Sequence, residues 1–118
     1  MPFKIIDGSF LEALDESTQR FYNRFPEAKL DLGNVLSGIA EESAEAINAL
    51  QYELLEDYCK EVADVIVVLM NGIRMRGGTV HNLEIAIVNT IDKNNAKTKD
   101  THYWDEERKK ITSKAKTR

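Results

Sequence analysis

A chain of 118 residues, 42% hydrophobic and 31% charged, has the length of one domain and the composition of a globular protein, which excludes a disordered chain. Its single cysteine, Cys59, excludes an internal disulfide and fits a reducing compartment, and its longest purely apolar run, Val65 to Met70, is far below a membrane span. The net charge of −4 is unevenly spread: residues up to Asp64 carry 14 acids and 5 bases, those from Val65 onward 6 acids and 11 bases, as suits a cation site in the first half and an anionic partner for the second.

Met1 to Asp7 reads as a short lead-in without a signal-like run, so a cytoplasmic protein free of the membrane is expected. Ser9-x-x-Glu12 is a capping box that opens a helix through Phe10, Leu11, Leu14, Phe21 and Tyr22, and Pro26 follows its end. Phe21, Tyr22 and Phe25 offer a stacking surface for a base, but an aromatic stripe at helical spacing reads first as core. After a connection from Lys29 to Gly33, Asp31 or Asn34 caps a second helix with Leu36, Ile39, Ser43, Ile47, Leu50 and Leu54 on one side. A third helix is expected from about Glu56 to Arg76, stopped by Gly77-Gly78, with Cys59 packed near its start.

These two helices carry acidic clusters, Glu41-Glu42-x-x-Glu45 and Glu61-x-x-Asp64. On one unbroken helix Glu45 and Glu61 would lie about 24 Å apart, too far to share a ligand. If the chain doubles back near Glu53, Glu45 comes opposite Glu61 and Glu42 opposite Asp64, because both pairs are centred on residue 53. No glycine or proline marks that bend. From Val62 to Met70 the third helix is apolar all round except at Asp64, the pattern of a helix interior to its bundle. Clustered carboxylates in such a setting repel and need a cation or a proton. With no His or Cys among them they select Mg²⁺, or Mn²⁺ as the alternative, over zinc. The competing reading of Glu41 to Glu45 alone is a solvated helix face, and Glu53, Glu56 and Asp57 read as plain exposed charges.

Thr79 caps a fourth helix with Val80, Leu83, Ile87 and Ile91 at helical spacing. Lys93, Asn94 and Lys97 share its far end, where three donors suit phosphate oxygens, although a solvated helix end is the plainer reading. His81 and His102 lack partnering ligands and read as surface residues, while Tyr103 and Trp104 are expected to fold back on the bundle. Residues 99–118 form a basic tail, read at Arg108 to Arg118 as a frayed solubilising segment in preference to a nucleic-acid contact. No strand-like alternation is read anywhere. The expectation is therefore one all-α domain over 1–118, a bundle of four to five helices whose poorly covered third helix pairs with another copy, as a homodimer or homotetramer.

EESAE, fifteen residues, then EVAD resembles the E-E-x-x-E … E-x-x-D signature of the MazG-like, all-α nucleoside triphosphate pyrophosphohydrolases. Asn71 stands where that family often carries an asparagine, and KNNAK at Lys93 to Lys97 looks like its K-N-x-x-R, with Lys97 in place of arginine. The resemblance spans roughly Leu32 to Lys97 and implies a hydrolase of nucleotide metabolism. Glu42, Glu45, Glu61 and Asp64 would hold Mg²⁺, which would bind triphosphate oxygens and acidify a water. Attack at the α-phosphorus would release a nucleoside monophosphate and pyrophosphate. Glu41 would orient or deprotonate the water, Lys93, Asn94 and Lys97 would steady the phosphates, and Asn71 would contact sugar or water. The alternatives are a phosphoribosyl-ATP pyrophosphohydrolase of the same superfamily and a non-catalytic helical interaction protein.

Overall fold

A computed structural model describes residues 9–116 and is mainly helical. The lead-in at Met1 to Asp7 and the side chain of Ser9, the proposed start of the capping box, lie outside the described residues. By compactness the described residues divide into two units, 9–84 and 85–116, with the boundary inside the fourth helix.

In the first unit, α1 (Ser9–Asn23) turns Leu11, Leu14, Asp15, Thr18 and Tyr22 inward, the i, i+3, i+4 spacing of one helical face. Thr18 is buried and returns its hydroxyl hydrogen to the Leu14 carbonyl at 2.8 Å. Phe21 packs against Tyr22 edge-on at 5.3 Å and against Phe25 at 5.1 Å. Phe21 and Phe25 nonetheless stay exposed, so the aromatic run is less of a core than its spacing implies. Asp31 caps α2 (Leu32–Tyr52), accepting the Asn34 N–H at 2.8 Å and satisfying one of the first-turn donors.

The reversal after α2 needs no glycine. Glu53 and Leu54 both adopt extended backbone angles, φ −117° and −75°, which any residue reaches, and α3 (Leu55–Met75) starts at once. The Glu53 N–H still reaches the Ala49 carbonyl and the Tyr58 N–H the Leu54 carbonyl, so both helix ends are tied off across the turn. The two helices then run antiparallel in close contact. A methyl placed on Gly38 would lie 3.6 Å from Val68 Cγ1, and one on Gly72 would lie 3.6 Å from Val35 Cγ1. Small residues at these crossings let the backbones approach, with Val35, Ala49 and Met70 the buried apolar residues. The helix α3 is not covered on every side: Ala63, Asp64, Ile66 and Leu69 face solvent, as does Cys59, which was expected to pack.

Gly77, at φ 82°, takes the left-handed conformation that ends α3, and the Gly78 N–H closes back on the Ile73 carbonyl at 2.9 Å. α4 (Val80–Asn95) is capped in a reciprocal way, the Asn82 side chain accepting the Thr79 N–H at 2.8 Å while the Asn82 N–H donates to the Thr79 carbonyl.

The second unit corrects the expectation of a chain without strands. Within the basic tail, the segment 102–105, whose Tyr103 and Trp104 were expected to fold back on the bundle, forms an antiparallel hairpin as β1 (His102–Asp105) with β2 (Lys110–Ser113) from the segment read as frayed, followed by a short 3-10 turn at Lys114–Lys116. Its four-residue loop is closed by Lys109 at φ 52° and by the Arg108 N–H donating to Asp105 Oδ1. Trp104 and Ile111 pair across the strands on an exposed face, and the indole N–H donates to Glu106.

Candidate functional site

The fold-back places the two acidic motifs on facing sides of α2 and α3. One carboxylate oxygen from each of Glu42, Glu45 and Glu61 lies within 4.8 Å of the others. Glu42 Oε2 and Glu61 Oε2 are screened from solvent and have no hydrogen-bond partner among the described residues. Such an atom carries the cost of lost hydration with nothing to offset it. The electrostatics agree. Desolvation first, then the Glu45 carboxylate, raise the pKa of both Glu42 and Glu61 above the ordinary glutamate value of 4.5, and Asp64 adds to each. Asp64 is exposed and outside the group of three that converge, so it flanks the cluster from a distance short enough to be felt. Its apolar neighbours along α3 suggest a buried position, but Ala63, Ile66 and Leu69 stay exposed within the single chain while Val62, Val65 and Val68 are only half-buried. Glu41 is exposed, one residue and about 100° round the helix from Glu42.

Further along the same seam, where Gly38 meets Val68, the hairpin and α1 enclose a cavity of about 390 Å³. Tyr22, Val35, Val68 and Asn71 line it, with the 28–30 connection closing one side. Asn71 is buried and already engaged: its amide nitrogen donates to the Tyr22 hydroxyl at 3.2 Å and its oxygen accepts from Arg74 Nη1 at 2.7 Å. Arg74 in turn is held by Asp15 of α1, through Nε at 3.2 Å and a shorter contact from Nη2. The resemblance points to Asn71, and Tyr22 is read from sequence as core or as part of a stacking surface; Asp15 and Arg74 carry no sequence signal, and only their pairing across 59 residues reveals them.

In the second unit Lys93, Asn94 and Lys97 are all exposed, and Lys97 Nζ donates to Asn94 Oδ1 at 3.1 Å. The hairpin brings Arg108, Lys110 and Thr112 to the same hollow as Lys93 and Lys97, about 680 Å³ in volume, and the Thr112 hydroxyl there lacks a partner among the described residues. From sequence these hairpin residues belong to the segment Arg108 to Arg118, whose basic composition reads as tail and hides the strand.

Fold and cluster together define a mainly helical protein with a carboxylate group in a helical hairpin. Compared with known proteins, the chain matches no protein-family model, no curated protein and no solved structure. No described helix is long and apolar enough to cross a membrane.

Proposed function

We propose that the protein is a Mg²⁺-dependent nucleoside triphosphate pyrophosphohydrolase, with Mn²⁺ as the alternative ion. The observation that carries the reading is the convergence of Glu42, Glu45 and Glu61 with two shielded, unpartnered carboxylate oxygens among them. An all-oxygen donor set with raised pKa values fits a hard divalent cation, which would offset the repulsion. Glu42, Glu45 and Glu61 would hold it, with Asp64 beside them. When bound, the cation supplies positive charge for polyphosphate oxygens and a more acidic water.

The chain's own groups do the rest. Glu41, adjacent to the cluster and exposed, would orient an attacking water and take its proton. Lys93, Asn94 and Lys97 are offered to phosphate oxygens, and the order of the two acidic motifs along the chain, with its resemblance to the MazG-like pattern, favours attack at the α-phosphorus. Asn71 bears on the cavity that would take the rest of the nucleotide.

Self-association belongs to the same proposal. Leu36, Leu50, Leu54 and Leu55 are each more than half exposed, at 57%, 65%, 77% and 75%. A hairpin that leaves so much apolar side chain in water is stabilised by a second copy. Light scattering at micromolar concentration tests this, and a monomer would refute it. The activity is tested with a panel of ribo- and deoxyribonucleoside triphosphates and Mg²⁺, scored for monophosphate and pyrophosphate. Release of orthophosphate instead, or no turnover of any triphosphate, would overturn the reading.

A further inference from the structure

The polar groups around the α1–α2–α3 cavity are ordered by one carboxylate. Asp15 can only accept, and Arg74, which it holds, can only donate. The Asn71 amide beside Arg74 must therefore present its oxygen to the guanidinium and its nitrogen to Tyr22, which leaves no choice of flip. The Tyr22 oxygen thus receives a hydrogen, and its own hydroxyl hydrogen has no acceptor among the described residues. Asp15 fixes a second group in the opposite sense. Gln19 Nε2 donates to Asp15 Oδ2 at 2.8 Å, so the Gln19 amide oxygen is turned away from it. Both Tyr22 and Gln19 line the cavity.

We infer that this cavity is a nucleoside-binding site in which Tyr22 donates to an acceptor on the base, a carbonyl oxygen or an unprotonated ring nitrogen, while Gln19 accepts from a neighbouring base N–H. Asp15, Arg74 and Asn71 are positioning residues that fix the polarity of the Tyr22 hydroxyl. A volume of about 390 Å³ bounded by Val35 and Val68 suits a ring; of the two cationic residues that line it, Arg74 is already paired with Asp15, and Lys29 stands at the 28–30 connection. The choice of a nucleoside as ligand rests on the proposed nucleotide substrate; the hydrogen-bond polarity does not.

The test uses the full chain without divalent metal, so that the carboxylate cluster takes no part, and titrates uridine, cytidine, adenosine and guanosine by NMR. Saturable binding of at least one, with shifts at Gln19, Tyr22 and Asn71, is expected; no binding of any would overturn the proposal. For the nucleoside that binds, Tyr22→Phe should weaken affinity by roughly tenfold, the loss of one hydrogen bond. Asn71→Asp keeps the shape and the Arg74 contact but offers Tyr22 only an acceptor, which turns the hydroxyl hydrogen inward. It should weaken binding by the same factor, and the double variant should be no worse than Tyr22→Phe alone. Wild-type affinity in folded Asn71→Asp would overturn the relay, and wild-type affinity in Tyr22→Phe would do so even if Asn71→Asp fails to fold. Nucleoside binding without triphosphate hydrolysis would leave this site standing and remove the hydrolase reading, whereas hydrolysis without nucleoside binding would do the reverse.

Discussion

Glu45 on α2 faces Glu61 on α3, their carboxylate oxygens within 4.8 Å, and Gly38 faces Val68 one stage further along the same pair of helices. Both pairs are equally spaced about residue 53, so one register of the hairpin sets the acidic cluster and the close backbone crossing together. Changes at the crossing therefore act on the cluster.

Glu45 is the largest charged contributor to the raised pKa of both Glu42 and Glu61. If the cluster holds Mg²⁺, the ion should raise the melting temperature of the wild type; Glu45→Gln should raise that of the metal-free protein at neutral pH and remove most of the rise expected with Mg²⁺. Circular dichroism melts with chelator and with Mg²⁺ decide it. A variant that melts lower without metal and still responds fully to Mg²⁺ would contradict the role given to Glu45.

The pH dependence follows with a definite sign. Glu42 and Glu61 hold protons more tightly in the folded chain than in the unfolded one. Below the unfolded glutamate value their contribution is neutral; as pH rises through the folded values it becomes unfavourable and stays so at neutral pH. Stability without metal should fall as pH rises above the ordinary glutamate value of 4.5, by an amount that Glu45→Gln reduces, and saturating Mg²⁺ should flatten the decline. Denaturant melts across that range measure it.

Glu41→Gln keeps size and hydrogen bonding and removes basicity. Turnover should fall by roughly 10²–10⁴-fold, with Mg²⁺ affinity by calorimetry nearly unchanged. Asp64→Asn, outside the converging group, should weaken Mg²⁺ less than Glu45→Gln does. Loss of Mg²⁺ binding in Glu41→Gln would make Glu41 a ligand.

Much of the site is legible in the sequence because it lies in local spacing. The i, i+3 pair Glu61 and Asp64 and the mirrored Glu42 and Glu45 place the bend at residue 53 without any turn signal, and the structure reverses there through two extended residues. The exposure of Asp64 is not legible, since an all-round apolar helix does not say what covers it. Nor is the hairpin at 102–113. Each strand has four residues, too few for alternation to stand out, and the positive φ falls on Lys109, where glycine or asparagine would be the usual signal. His-Tyr-Trp before a charged turn, with Ile-Thr after it, was the available clue.

Asp15 and Arg74 are mostly shielded from solvent, their side chains 15% and 19% exposed, and they tie α1 to α3. Arg74→Met alone should destabilise the fold by up to about 3–5 kcal/mol, since it strands a shielded carboxylate. Pairing it with Asp15→Leu should restore much of that loss. Urea melts of the two single variants and the double test the coupling, and additive losses would deny it.

Gly38→Ala places a methyl 3.6 Å from Val68, an ordinary contact, and replaces a poor helix former with the best one. A gain of about 0.5–1 kcal/mol is expected in the same melts. Gly38→Leu should instead pry the helices apart and abolish the Mg²⁺-dependent stabilisation.

The reversal at Glu53 and Leu54 asks nothing unusual of its backbone, and among the described residues its side-chain tie is Asn48 donating to Glu53 at 3.2 Å. The alignment of the acidic motifs is therefore written into the two helix faces and not into the link between them. A chain cut there would become two peptides able to find each other again through the same faces, one carrying the first motif and the other the second. Each would be strongly acidic along the contact, so their reunion would be opposed by charge until a divalent ion is added, and the ion would then act as the fastener between halves.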